Sequence, residues 1–316
     1  MVTIKDVARD AGVSVGTVSN VLNGGRVSEA RRKLVEASIE KLGYQVNTLA
    51  KGMRMQKTDY VVVILPNLIN PYFALLLDAL ESELSAVGKQ VLLCLSGDDA
   101  EREVAFMDMA KQNKVDGIIG VTYSKVEEER IENMAFVSID RHYKSHIPCV
   151  AGDNWQGGWL AAENLHKRGS TNLLCFMTMS SVDSEVRKRR VGFTEYCMEH
   201  DLSCNSVEMS EKQIVSVYES YGSRKLIHNM LRAYISPSMG EHSIDGIFTS
   251  SDHLATIVRE ELEEMGKRVP EDIQIIGYDG LQFLNQGKPI VSSIAQPVHE
   301  IAKEAVRCLN ELIANG

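Results

Sequence analysis

The stretch Thr3-Ile4-Lys5-Asp6-Val7-Ala8-Arg9-Asp10-Ala11-Gly12-Val13-Ser14-Val15-Gly16-Thr17-Val18-Ser19-Asn20-Val21-Leu22 decides the architecture of the amino-terminal end. Thr3 is a capping residue with an acid, Asp6, three positions on, and Ile4, Val7, Ala8 and Ala11 recur on one helical face. That spacing predicts a first helix. Gly12 tolerates the positive φ of a tight turn, Val13 plugs the interhelix core, and Ser14 caps the next helix. This second helix, over 15–22, turns Val18, Val21 and Leu22 inward and leaves Val15, Gly16, Thr17, Ser19 and Asn20 outward. Asn23-Gly24-Gly25 ends it. A third helix runs from Ser28 through Lys41, with Leu34, Val35, Ile39 and Leu42 as its expected apolar stripe, and stops at Gly43-Tyr44.

Charge is divided along the chain in the same way. The 316 residues carry a formal net charge of −9, yet residues 1–57 hold ten Lys/Arg against five Asp/Glu, leaving 24 against 38 in the remainder. A basic head on an acidic body fits contact with phosphate at one end only. Met1 to Asp10 alternates charged and apolar residues, unlike a secretory signal, and no run approaches the roughly 20 apolar residues of a membrane span. The six cysteines are scattered without metal or redox spacing, which predicts reduced thiols, a cytoplasmic setting and no metal or cofactor.

From Tyr60 onward, short apolar runs alternate with helical patterns. Runs over 60–65, 90–95, 117–121 and 136–140 read as buried parallel strands, with helices near 72–87 and 100–113 between them. A second set comes after these: a helix over 157–168 and strands over 173–177, 245–248 and 273–278. The expected fold class is α/β, with two doubly wound parallel-sheet lobes behind an all-α helix-turn-helix head. The expected division is 1–46 for the head, 47–57 for a hinge helix and 58–316 for the body. Within the body the first lobe is expected over about 58–155 and 286–316, and the second over about 156–285. The run Ser236-Pro237-Ser238-Met239-Gly240-Glu241 reads as an inserted loop.

An enzyme is not expected. Leu65-Pro66-Asn67-Leu68-Ile69-Asn70 lacks the glycine-rich phosphate turn that a dinucleotide site requires after its first strand. The eight histidines show no local nucleophile–base arrangement.

The head resembles the lactose-repressor family at Thr3 to Ala8, Ala11 to Ser14, Thr17-Val18-Ser19, Val21-Leu22-Asn23 and Leu42-Gly43-Tyr44. The resemblance implies that the second helix enters the major groove of a double-stranded operator. It puts Val15, Gly16 and Asn20 at base-reading positions and Thr3, Thr17 and Ser19 at phosphate-contacting ones, with Asn23 also on the DNA side. Of these readers only Asn20 has a side chain suited to bidentate contact with adenine. Residues 47–55 resemble the family's hinge, in which Leu49 and Ala50 face DNA or the partner's hinge and Met53 stands where a leucine usually wedges the minor groove.

The body resembles the family's periplasmic-binding-protein-like domain over 58–313, at Asn70-Pro71-Tyr72-Phe73, Val115-Asp116-Gly117, Ile139-Asp140-Arg141, Arg189 to Phe193, Ser251-Asp252 and Ile276 to Gly280. These segments form a ligand cleft in the family's sugar-binding members. A sugar calls for aromatic plates and for charged groups that bond vicinal hydroxyls. Tyr72 and Phe73 offer the first, Asp140, Arg141, Arg189, Asp252 and Asp279 the second, and Asn70, Ser251 and Gln296 add neutral polar groups beside them. The resemblance thus implies a homodimeric repressor, controlled allosterically by a small effector. A sugar is the leading effector class; a nucleoside or purine, or a phosphorylated partner protein acting as co-repressor, remains the alternative.

Overall fold

The computed structural model describes residues 2–22, 24–44, 58–97, 99–125, 131, 134–143, 146–179, 182–210, 213, 224–235, 243–281 and 291–315. Asn23, the hinge with Leu49, Ala50 and Met53, and the expected loop at 236–241 lie outside the described residues. The chain divides into two compact units, Met1–Thr58 and Asp59–Gly316.

The first unit holds helices α1 (Ile4–Asp10), α2 (Val15–Leu22) and α3 (Glu29–Leu42). The Asp6 carboxylate reaches back to accept from the Thr3 amide at 3.0 Å and the Thr3 hydroxyl at 2.7 Å, which fixes the start of α1. Gly12 has φ 63, and Val13 N donates to Ala8 O at 3.0 Å, closing the turn. Ser14 Oγ then accepts from Thr17 N at 3.1 Å and caps α2. Val7, Ala8, Val18, Val21 and Val35 form the core. The third helix differs from expectation. Leu34 is 55% exposed, and Ser38 is buried in its place because its hydroxyl donates to Val7 O at 3.3 Å.

The second unit contains two parallel sheets. The first has β1 (Tyr60–Leu65), β2 (Gln90–Leu95), β3 (Gly117–Gly120), β4 (Phe136–Ile139) and β5 (Cys149–Val150), in the order β2-β1-β3-β4-β5. The odd residues of β1, Val61, Val63 and Leu65, face helices α4 (Pro71–Ala86) and α10 (Val298–Asn315). The even residues Val62 and Ile64 face Met107 and Ala110 on α5 (Ala100–Gln112). With helices on both faces, the strands must be apolar throughout, hence the unbroken runs in the sequence.

The second sheet has β6 (Asn172–Met179), β7 (Ser203–Ser210), β8 (Gly246–Thr249), β9 (Gln274–Asp279) and β10 (Ser292–Ala295), in the order β10-β9-β8-β6-β7. Helices α6 (Asn154–Lys167) and α7 (Arg187–Glu199) cover one face, where Phe193 stacks on Phe248 at 5.2 Å. Helices α8 (Lys225–Ile235) and α9 (Asp252–Glu264) cover the other. Read from β7, this order repeats that of the first sheet, so each lobe has the same topology. The chain leaves the first lobe through 151–153 and returns through 296–297.

The return comes later than the expected boundary at 286. Ser292–Ala295 pairs in parallel with Ile276–Asp279 and belongs to the second lobe. This run holds one large apolar residue, Ile294, and sits at a sheet edge, so pattern alone does not assign it to a sheet.

Glycine sets the spacing of α6 against α7. A Cβ on Gly158 would lie 1.8 Å from Arg189 O, and one on Gly192 would lie 1.9 Å from Trp155 O. The two backbones therefore touch, and the first turn of α7 is held against α6 at the point where Arg189 leaves it.

Candidate functional site

In a parallel α/β sheet, the carboxyl ends of the strands open onto loops and helix amino termini, and a crevice forms where the strand order reverses. Both lobes bring these ends to one cavity of about 560 Å³ of atom-free space, part of it open to solvent. From the first lobe it is lined by Asn67, Asn70, Tyr72, Phe73, Tyr123 and Asp140. Thr178, Val186, Arg189, Ser250, Ser251 and Asp279 line it from the second, and Gln296 from the returning strand connection.

Arg189 is 4% exposed and organises this cavity. Its Nε donates to Asn154 Oδ1 at 2.6 Å and its Nη1 to Ser250 O at 2.8 Å, while the guanidinium lies 3.7 Å over the Tyr278 ring. Burial opposes its charge, but Tyr278, Asp279 and Asp140 outweigh that and hold its pKa above the usual arginine value. Arg189 lines the cavity, and a guanidinium has donors beyond these two to offer a ligand's oxygen atoms.

The two aspartates stand at the carboxyl ends of equivalent strands, β4 and β9. Burial raises the Asp140 carboxyl, with Arg189 and a bond from Asn154 opposing the shift. Burial pushes Asp279 up to about 8, again against Arg189. Asp279 Oδ1 accepts from Gln296 Nε2 at 2.7 Å. Tyr72 stands 5.6 Å from Phe73, edge to face, and burial raises its phenol well above the ordinary value.

Among the described residues, four lining groups carry a buried polar atom with no hydrogen-bond partner: Tyr72 OH, Asp140 Oδ1, Asp279 Oδ2 and Gln296 Oε1. Such atoms are uncommon in a folded interior. Here they meet at one cavity, and three of the four are acceptors.

Asn70 and Ser251 line the cavity as helix caps. Asn70 Oδ1 accepts from Tyr72 N at 3.1 Å, and Ser251 Oγ accepts from Leu254 N at 3.2 Å. The amino ends of α4 and α9 therefore approach the cavity.

Two expected residues lie outside it. Arg141 is buried within the first lobe, where Nη1 donates to Ser124 O at 2.6 Å and the guanidinium covers the Tyr143 ring at 4.3 Å. Asp140 has φ 59, a left-handed turn that sends its neighbour elsewhere. Asp252 braces the wall behind Asp279: its Oδ2 accepts from Leu281 N at 2.7 Å. Burial raises its carboxyl to about 6.

Sequence reasoning missed Asn154, 1% exposed, which connects Arg189 with Asp140. It also missed Tyr278 as the plate beneath Arg189. An asparagine beside an acidic cap at a helix start gives no signal of its own; Tyr278, next to Asp279 at a strand end, gave one. A further link between lobes is Glu185, whose amide donates to Asp140 O at 2.8 Å and whose carboxylate meets His142 Nε2 at 2.7 Å.

On the head, Val15, Gly16 and Asn20 are exposed, as is Thr3, and Thr17 and Ser19 are half-buried. They share the solvent side of α2 and the start of α1. A Cβ on Gly16 would meet only Ser14 Oγ, at 3.8 Å. Among the described residues no helix is long and apolar enough to cross a membrane, and no cluster of His, Cys, Asp or Glu is arranged to hold a metal ion.

Residues 3–47 match the model for bacterial regulatory proteins of the lacI family, and residues 162–316 match a periplasmic binding protein-like domain. The sucrose operon repressor of Pediococcus pentosaceus is 32% identical, over 99% of this chain and 93% of its own. The ribose operon repressor of Halalkalibacterium halodurans is also 32% identical, over 98% and 89%. Among solved structures, a periplasmic binding protein/LacI transcriptional regulator from Alkaliphilus metalliredigens QYMF, complexed with D-xylulofuranose, superposes with a TM-score of 0.68. It is 26% identical and covers 81% of this chain and 91% of its own.

Proposed function

The chain belongs to the lacI family of bacterial regulatory proteins, and from that premise we propose that it represses transcription as a homodimer whose hold on operator DNA is set by a small neutral sugar bound between the two lobes. It is a transcriptional regulator and not an enzyme. The division into a head over 1–46, a hinge over 47–57 and a two-lobed sensing body is part of this reading, and so is action in the cytoplasm.

The observation that carries the sugar is the set of unpartnered atoms. Gln296 Oε1 and, in their ionised forms, Asp140 Oδ1 and Asp279 Oδ2 accept hydrogen bonds, and Arg189 donates them. A polyol satisfies both at once, because each hydroxyl donates and accepts. A purine offers few N–H donors, all in its ring plane, and leaves part of the acceptor set unpaired at a cost of about 1–3 kcal/mol for each buried group. The relatives named for the sucrose and ribose operons support the same class.

The DNA contacts assigned to Thr3, Val15, Gly16, Thr17, Ser19, Asn20 and Asn23, and the hinge roles of Leu49, Ala50 and Met53, belong to the same reading. With Asn20 the one strong base reader, the hinge and DNA shape carry more of the specificity. Removing residues 1–57 is expected to abolish operator binding and spare sugar binding. Loss of both, in a chain that stays folded by circular dichroism, contradicts the division of labour.

A further inference from the structure

A pair of thiols lies apart from the effector cavity. Helix α7, which carries Arg189 in its first turn, ends with Cys197 in its last. Leu202 N donates back to Cys197 O at 2.9 Å, and Asp201 takes φ 53, so the chain reverses at once into β7. Cys204 then sits opposite Leu173 on the neighbouring strand, where its thiol neighbours that of Cys197 and donates to Asn205 O at 3.8 Å. Both pack on the same core beneath α6 and α7.

The two cysteines differ in access. Cys197 is 1% exposed, whereas Cys204 is half-buried on β7, the edge strand of its sheet. All six cysteines of the chain are free. Cys175, on β6 nearby, is fully buried and is not the half of a pair that an oxidant meets first.

We propose that Cys204 and Cys197 form a peroxide-reactive dithiol that closes to a disulfide, stapling the end of α7 to the edge strand. Its greater exposure marks Cys204 as the nucleophile, and the neighbouring Cys197 thiol favours the Cys204 thiolate. The Cys204 thiolate attacks one oxygen of hydrogen peroxide, the O–O bond breaks, and Cys204 sulfenic acid and hydroxide result. Cys197 sulfur then attacks the sulfenic sulfur; its proton and the sulfenic OH leave as water. In net, two thiols and one peroxide give one disulfide and two waters, with the peroxide reduced.

The test uses the folded full-length chain, treated with hydrogen peroxide, quenched, denatured, alkylated and digested with trypsin. Cleavage after Arg190 and Lys212 puts both cysteines, and no others, in peptide 191–212. The expected product is that peptide about 2 Da lighter and carrying no alkyl label, while the peptide with Cys175 stays labelled. In Cys204→Ser, Cys197 should keep its label. In Cys197→Ser, Cys204 should stop at sulfenic acid and take a dimedone adduct. The folded chain should react at least about tenfold faster than the urea-unfolded one. Two labelled thiols after peroxide, equal rates folded and unfolded, or loss of the Cys197 thiol in Cys204→Ser each overturns the proposal. Should Cys197→Ser fail to fold, wild type and Cys204→Ser decide alone.

Discussion

Asp140 and Asp279 occupy the same place in the two lobes: each stands at the carboxyl end of the fourth strand of its sheet, and each has positive φ, 59° and 116°. Each also leaves one buried carboxylate oxygen without a partner. Positive φ at a non-glycine residue costs of order 1–3 kcal/mol and persists where surrounding structure enforces it. The cavity is thus a pseudo-symmetric pair of acceptors with Arg189 between them in charge, and its polar groups are incomplete until a ligand arrives.

Burial of Asp279 makes the stability of the ligand-free chain depend on pH. A carboxyl raised from 3.8 to about 8 in the folded state favours folding fully below pH 4 and loses that contribution as pH rises toward 8; Asp252, raised to about 6, acts in the same direction. The melting temperature without effector should therefore fall between pH 5 and pH 8. Asp279→Asn should flatten the upper part of that profile and raise the melting temperature at pH 8, by roughly 2–4 °C per kcal/mol recovered. Calorimetry across pH checks this.

Effector binding should show the opposite trend. Sugar hydroxyls that donate to Asp279 favour its ionised form, so binding releases a proton below about pH 8. Affinity should rise with pH up to about 8 and then level. Titration calorimetry in two buffers of different ionisation enthalpy reads the released proton directly.

Arg189→Lys should weaken the effector by more than about a hundredfold. Lysine keeps the charge but loses the fork and the planar contact with Tyr278. The bonds to Asn154 and Ser250 are lost with it, so the melting temperature should fall as well. Retained affinity in a folded variant removes Arg189 from its central role.

Gly158→Ala tests the contact of α6 with α7. With Arg189 O only 1.8 Å from the added Cβ, the helices must separate. The expected cost is about 1–3 kcal/mol or more of stability, with loss of effector affinity through displacement of Arg189. By contrast, Gly16→Gln on the head has room, should leave the melting temperature within a few degrees, and should change which operator base is preferred beneath that position.

Much of this was legible in the sequence, for reasons that differ by element. The β1 run announces itself because both faces of its sheet are covered, and Asp140 and Asp279 because charged residues at strand ends face the crevice, while Arg189, in the first turn of a helix, was marked by the family resemblance of its segment. The polar β7, Ser203–Ser210, was not legible: an edge strand needs little apolar alternation, and here only Met209 is fully buried. Leu34 and Ser38 exchange their expected places through one hydroxyl bond, which no periodicity encodes. Arg141 departs from its expected place because a single positive φ at Asp140 redirects the next side chain. Asn154 acts through Arg189, and a residue that touches only other site residues leaves no mark of its own.

The central claim is tested most directly by following operator binding in the presence of candidate effectors. Full-length protein, a fluorescent palindromic operator and a panel of pentoses, hexoses, sucrose and purines suffice, with anisotropy reading DNA affinity and calorimetry reading effector affinity. The expected result is one sugar that binds the wild type, fails to bind Asp279→Asn, and changes the operator Kd by about 5- to 150-fold, with DNA changing the sugar Kd by the same factor. A purine that binds while every sugar fails, or a sugar that binds in the cavity and leaves the operator Kd unchanged, contradicts the account.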